Sequence, residues 1–211
     1  MKILQISIFL LIVGTSCKNT LVKDNFDDNG KLISQSEQKE DGTLHGVTKS
    51  YIENRLFSEE IYDNGVLHGT RKIFYADGSL EILENYKNGK IDGTYMAYHP
   101  NGKEMLKAIY VDGSMQGLVT SYFDDGKVKE EVTFINGEEN GPFVEYYPNG
   151  NIEWKGTYVP GKEEPNEIGE VLNYNEDGTL IRKLQCDTIY GYNKCKTTWS
   201  IDGNITDSVK K

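Results

Sequence analysis

The sequence predicts an all-β fold: an elongated single sheet, twisted and curved, built as an array of about seven antiparallel β-hairpin units. Three observations carry that prediction. The stretch Lys127 to Gly150, KVKEEVTFINGEENGPFVEYYPNG, slides by 24 residues onto Ser79 to Gly102 and onto Lys103 to Gly126 with its glycines and most of its aromatics in register. Asn-Gly and Asp-Gly pairs recur throughout, and both residue types tolerate the positive φ of tight hairpin turns. Between the turns, residues alternate with the period of a strand. The composition agrees: 22 Gly and 14 Tyr in 211 residues, with only 5 Pro, suit short strands and turns, and almost no helix is expected in the mature chain.

From the start, Met1-Lys2 carries one positive charge, Ile3 to Val13 is a mostly apolar run, and Gly14-Thr15-Ser16-Cys17 supplies small residues before a cysteine. The run is shorter than the roughly 20 residues a bilayer-spanning helix needs, so residues 1–17 read as a leader. The cysteine behind small residues resembles a bacterial lipoprotein lipobox. That resemblance implies lipidation of Cys17 and anchoring of the mature chain at the cell envelope, through the N-terminal lipid alone. The pattern departs from the lipobox in having Gly14 where a leucine is usual. Ordinary secretory cleavage is the competing reading.

Residues 18–28 are polar without a sustained period and read as a flexible tether, 29–203 as the repeat domain, and 204–211 as a C-terminal tail. One glycine series runs through Gly30, Gly78, Gly102, Gly126, Gly150, Gly178 and Gly203, with Asn54 in the slot after Gly30. These Asn/Asp-Gly pairs are expected to form the hairpin turns with positive φ at both residues. A second series comprises Gly42, Gly65, Gly89, Gly113, Gly137 and Gly161. Its first five members are followed four residues later by Gly46, Gly69, Gly93, Gly117 and Gly141, and the sixth is stretched to Gly169. The flanks are charged, so turn chemistry accounts for these pairs better than a membrane helix motif does.

In the strands, Val128, Glu130, Val132 and Phe134 are expected to share one face and Lys127, Lys129, Glu131 and Thr133 the other. The next strand repeats this with Ile152, Trp154, Gly156 and Tyr158 against Asn151, Glu153, Lys155 and Thr157. A ring recurs three residues before the second-series turns at Tyr62, Tyr86, Tyr110, Phe134 and Tyr158. Another recurs four before the first-series glycines at Phe74, Tyr98, Tyr122, Tyr146, Tyr174 and Trp199. Stacked units would align these into two structural ladders, each ring touching its equivalents.

The recurring Y-x-N/D-G-x-x-x-G, followed by an aromatic and N/D-G, resembles the MORN repeat in the variant form of bacterial YwqK-type antitoxin-component proteins, over about residues 29–203. The resemblance implies an elongated hairpin array that acts as a binding or scaffolding surface rather than an enzyme. It also implies an alternative, a toxin-neutralising or immunity protein that binds a cognate toxin.

The formal charge of -10 becomes -11 once the leader's lysine is removed. Nucleic acid is thereby disfavoured as a partner, as is electrostatic adsorption to anionic lipid. No catalytic site, cofactor or metal site is expected. His45 and His68 occupy equivalent slots, but later units place Asp92, Gln116 and Asn140 there. Such slots lie two strands apart, roughly 9 to 10 Å, too far to share a zinc. The paired carboxylates Glu130-Glu131, Glu138-Glu139 and Glu163-Glu164 read as solvated charge. The sequon Asn204-Ile205-Thr206 means little if the source is bacterial. With Cys17 lipidated, Cys186 and Cys195 are left either to pair or to stay reduced, and pairing requires an oxidising compartment. The expected function is therefore a non-enzymatic, envelope-anchored surface for a protein or glycan partner. Specificity is expected where the repeats depart from their pattern, at Lys162 to Ile168 and Cys186 to Cys195.

Overall fold

The computed structural model describes residues 20–161, 166–189, 192–203 and 207–209. The leader with Cys17, residues 162–165 of the stretched turn and the sequon at 204–206 lie outside the described residues.

All regular structure among the described residues is strand. The first eight are β1 (Leu21–Phe26), β2 (Leu32–Gln38), β3 (Leu44–Ile52), β4 (Arg55–Asp63), β5 (Val66–Phe74), β6 (Leu80–Lys87), β7 (Lys90–Tyr98) and β8 (Glu104–Val111). There follow β9 (Ser114–Tyr122), β10 (Val128–Ile135), β11 (Glu138–Tyr146), β12 (Ile152–Val159), β13 (Asn166–Glu167), β14 (Gly169–Tyr174), β15 (Leu180–Ile189), β16 (Tyr192–Ser200) and β17 (Asp207–Val209). They form one 17-stranded antiparallel meander. Each strand pairs with the next, except that β13 and β14 both pair with β12 and so form one strand interrupted at Ile168.

The array is longer at both ends than the repeat pattern indicates. Residues 18–28 are not a tether throughout, because β1 pairs with β2 from Leu21 to Phe26. Polar contacts across the ladder, Asn25 Nδ2 to Ser34 Oγ (2.9 Å) and Gln35 Nε2 to Asp24 Oδ1 (3.0 Å), replace the apolar alternation that would have signalled a strand. Residues 204–211 are likewise not all tail, since β17 pairs with Lys194, Cys195 and Lys196 of β16.

Two turn types alternate. At one end of the sheet, Asn64-Gly65, Asn88-Gly89, Asp112-Gly113 and Asn136-Gly137 form two-residue turns with positive φ at both positions, 51° and 80° in the first. These second-series pairs, not the first series, are the twist-matched hairpin turns. At the other end, in the turns after β5, β7, β9 and β11, the chain takes five residues. Tyr75 N donates to Ser79 O and Gly78 N to Tyr75 O, and the pattern recurs at His99, Phe123 and Tyr147. Only the glycine is left-handed there, as at Gly78 (φ 89°). In the first unit the types are exchanged: Gly42 sits in a five-residue turn, and Glu53-Asn54 form the two-residue one.

The five-residue turns after β5, β7, β9 and β11 are each flanked by a one-residue register shift, between Ser121 and Tyr122 against Val128 and Glu130 for β9–β10 and at Glu145/Tyr146 for β11–β12. The shift resets the alternation. Val128 and Ile152 therefore pair with Tyr122 and Tyr146 on the face opposite Val132 and Trp154, contrary to an uninterrupted period of two. It also separates the ladders. Tyr62, Tyr86, Tyr110, Phe134 and Tyr158 lie on the front face. Phe74, Tyr98, Tyr122, Tyr146 and Tyr174 lie on the back with Met96, Glu131 and Lys155, which three of them touch.

A wider irregularity marks the other end of each unit. Between Glu60 and Tyr62 the partner strand runs from Arg71 to Leu67, so Gly69 lies in the surplus with φ 109°. On its other side Gly69 stands directly across from Tyr86; Gly46, Gly93, Gly117 and Gly141 face Tyr62, Tyr110, Phe134 and Tyr158 in the same way. A ring laid over a bare glycine covers backbone that no side chain of its own protects. A Cβ on Gly141 (φ 130°) would meet Thr133 Cβ at 2.9 Å, whereas one on Gly117 (φ 76°) meets nothing within 4 Å. Gly117→Ala is expected to cost about 1 kcal/mol and Gly141→Ala about 3 kcal/mol. Urea midpoints followed by far-ultraviolet circular dichroism check this, and equal midpoints would refute the steric account.

The turns also titrate. Hydrogen bonds hold Asp27, Asp41, Asp77, Asp125 and Asp177 below the ordinary 3.8: backbone N–H of Lys31, Thr43 and Lys127 for the first, second and fourth, and Ser79 and Thr179 side chains first for the others. Asn101 and Asn149 make the same bonds, to Lys103 N and Asn151 N, without a titrating group. Because the folded-state values are depressed, the stabilisation is present above 3.8 and is lost as pH falls through the lower values. Asp77→Asn with Asp125→Asn is expected to flatten the acid limb of the stability–pH curve, and an unchanged limb would count against these caps.

Candidate functional site

One row of side chains crosses the middle of the front face. It runs through Ser36, Thr48, Glu60, Arg71, Glu84, Tyr95 and Ala108, continues in Val119, Val132, Phe143 and Gly156, and ends in Val171, Leu184 and Thr197. The same structural position is thus filled in two ways. In the N-terminal half it is charged. Arg71 Nε lies 3.2 Å from Glu60 Oε1, and its Nη1 lies 3.4 Å from Glu84 Oε2 and 3.4 Å from the Tyr86 hydroxyl. Tyr62 donates to Glu60 at 2.8 Å, and burial followed by that carboxylate pushes its hydroxyl up to about 12. Glu84 is only 7% exposed, which its guanidinium partner makes tolerable.

In the C-terminal half the row is apolar and forms the core, with Val132, Phe143, Val171, Leu184, Cys186 and Cys195 buried together. Gly156 is the pivot. Its missing Cβ would fall 2.8 Å from Phe143 Cε1 and 3.0 Å from Val171 Cγ2, so the glycine lets side chains from the flanking strands meet above the backbone. Tyr158 stacks on Phe143 with centroids 4.0 Å apart and planes 14° from parallel. Cys186 and Cys195 oppose each other on β15 and β16 and are joined as a disulfide.

Over this core opens a groove of about 380 Å³, lined by Trp154 and Tyr158, by Glu145, Glu167 and Arg182, and floored by the core and the disulfide. It is the candidate site. Its residues come from β11 to β16, four strand steps that would span roughly 19 Å in a flat sheet; the sheet curls to bring them round one cavity. The electrostatics are acidic. Burial first, then the charges of Glu145, Glu167, Glu139 and Glu130, raise the Tyr158 hydroxyl far above its ordinary value of 10. Burial and Glu130 likewise raise Glu139.

Of the two stretches expected to depart from the repeats, Cys186 and Cys195 line this groove, as does Glu167 from the stretched turn. Glu145, Trp154 and Arg182 also line it but sit at ordinary repeat positions, so they carry no local signal. The ladder rings align without touching their equivalents, because a strand lies between them: Leu67 faces Tyr62, Ile91 faces Tyr86 and Met115 faces Tyr110. The ring pairs among the described residues join ladder members to Tyr95 and Phe143 of the central row instead. Glu130, grouped with solvated charge in the sequence, faces Glu145 on the front.

The polar slot of the histidines has a shared task. His45 Nδ1 lies 3.1 Å from Asp63, His68 Nδ1 accepts from Asn88 N at 3.5 Å, Asp92 accepts from Asp112 N at 3.2 Å, and Gln116 donates to Asn136 at 2.9 Å. Each anchors the neighbouring two-residue turn. His99 Nε2 lies 3.0 Å from the Tyr122 carbonyl, in the place where Tyr75 and Tyr147 donate to the carbonyls of Tyr98 and Tyr174. No group of three His, Cys, Asp or Glu suited to a metal occurs among the described residues.

Comparison with known families finds three matches, at residues 67–88, 115–136 and 139–159, to the model described as MORN repeat variant. These three units are similar to MORN repeats. No curated protein matches the chain. The matched windows are strand, five-residue turn, strand: β5–β6, β9–β10 and β11–β12. The MORN-type unit is thus centred on the five-residue turn, and the two-residue turns link one unit to the next. Residues 91–112 are not matched, yet β7 and β8 keep the same pairing, including Gly93 across from Tyr110.

Closing a short loop with the disulfide should contribute about 2 to 3 kcal/mol. A reductant is expected to lower the urea midpoint of the wild type but not that of Cys186→Ala/Cys195→Ala, which starts from the lower value. A wild-type midpoint indifferent to reductant would remove the bridge from the energetics of this end.

Proposed function

We propose that the chain is a non-enzymatic, exported and lipid-anchored envelope protein that binds a partner protein through the C-terminal groove. The observation that carries this reading is the groove itself. Here aromatic and charged side chains converge round about 380 Å³, within the size range of ligand-binding clefts. MORN repeats generally serve as interaction modules, and similarity in three units supports the same use here. Export draws support from the disulfide, which persists in oxidising compartments, and from the leader ending at Cys17. Lipidation at Cys17, followed by the residues before β1, would hold the sheet close to the membrane surface.

The test uses full-length protein in its own cells, first labelled with radioactive palmitate, which Cys17→Ala is expected to abolish. A photo-reactive residue then replaces Ser200, which faces Arg182 on the front, or Lys155 on the back. One saturable adduct from Ser200 and none from Lys155 is expected. Equal capture from both faces would refute a groove-borne function, and palmitate retained in Cys17→Ala would refute the anchor.

A further inference from the structure

We propose that the groove receives an arginine side chain of the partner protein, seated against Trp154 and Tyr158 and held by the carboxylates of Glu145 and Glu167. This deepens the reading of the groove as an interaction site and rests on it.

The argument begins with charge complementarity. On the front of β10 to β16, Glu130, Glu139, Glu145 and Glu167 surround Tyr158, and the one guanidinium among the groove-lining residues is Arg182, at the exposed rim. Among the described residues of β12 to β16, Lys155, Lys183, Lys194 and Lys196 alternate with front-facing Trp154, Leu184 and Cys195 and so fall on the back. One end of one sheet therefore presents an acidic, aromatic front, while its back mixes these lysines with Glu131, Glu170 and Asp187. Glu145 and Glu167 also interact within the chain, so the incoming cation joins an existing polar setting.

The second strand of the argument is internal. At the N-terminal end the array shows how this front face accommodates a guanidinium between carboxylates and a ring. Arg71 lies between Glu60 and Glu84 on the front face, with Tyr86 against its guanidinium. Six strands on, the position corresponding to Arg71 is Phe143, and the carboxylates have moved to Glu145 on the adjacent row and Glu167 beyond Tyr158. At the first place the guanidinium comes from the chain itself; at the second the carboxylates, already engaged within the chain, border an open groove. A guanidinium suits that cavity better than an ammonium: it is planar, stacks on Trp and Tyr faces, and forks to carboxylates. A bound cation also offsets the Glu130 charge that, after burial, raises Glu139.

The test uses the full mature chain with Trp199→Phe, which leaves Trp154 as its one tryptophan. Trp154 emission is titrated with a blocked peptide containing two arginines, and in parallel with the same peptide carrying citrulline, with a glutamate version, and with a soluble oligosaccharide. A saturable change with the arginine peptide is expected, weakened about tenfold or more by Glu145→Gln/Glu167→Gln and by added salt. Circular dichroism confirms that the variants stay folded. An equal response to citrulline, an unaltered affinity in the glutamine variants, or saturation only by the glutamate peptide or oligosaccharide would overturn the arginine assignment. The two readings fail separately. If Ser200 still captures a partner while the arginine peptide has no effect, the assignment falls and the groove stands as an interface. If the peptide saturates the groove while Ser200 and Lys155 capture alike, the assignment holds and the protein-partner reading falls.

Discussion

A single-layer sheet has no second layer on which to bury its side chains, and that constraint shapes every other feature of this protein. Backbone pairing supplies cohesion along the whole array, but apolar burial must be assembled from neighbours on the same face. The protein does so by placing rings opposite glycines, as with Tyr86 over Gly69 and Tyr158 over Gly141. It also ties units together through the backbone. Gly65, Gly89, Gly113 and Gly137 donate their N–H groups to Leu44, Leu67, Ile91 and Met115 of the preceding hairpins. At the opposite end, Tyr75, His99 and Tyr147 reach the carbonyls of Tyr98, Tyr122 and Tyr174. Both margins are thus stitched across units, as expected for an array in which each repeat is stabilised mainly by its neighbours.

The two halves meet the same constraint with different chemistry. Around Arg71 the central row buries charge and compensates it by pairing, an arrangement that specifies geometry more than it stabilises. From Ala108 onward it buries apolar groups, and Gly156 permits the closest packing, between Phe143 and Val171. The curl that makes the C-terminal core also makes the groove, so stability and the candidate site share residues there. Phe143 and Tyr158 serve both.

Much of the architecture was legible because turns and strands have short-range signatures. The 24-residue period, the paired glycines and the ring positions follow from residues within a few places of one another. Illegible was whatever depends on the register shifts: a one-residue slip beside the five-residue turns of the repeats moves Val128, Ile152 and one whole ladder to the back, and no composition rule announces it. β1 escaped notice because Asp24, Asn25, Ser34 and Gln35 bind across the ladder through polar groups. Glu145, Trp154 and Arg182 are separated in sequence and brought into one row by the pairing of β11, β12, β14 and β15, so the groove could be anticipated at its cysteines and not at its walls.

The polar slot before each bulge glycine shows how little the array demands of its side chains. Histidine, aspartate and glutamine all serve at positions 45, 68, 92 and 116, because the turn they brace offers both a backbone N–H and a side-chain oxygen. A support that accepts either donors or acceptors places almost no filter on inherited change. Units can then drift apart in sequence while remaining superposable in space, and β7–β8 keeps the pairing of its neighbours although its sequence is not matched as a MORN repeat. In such a molecule shape is the constant and spelling the variable.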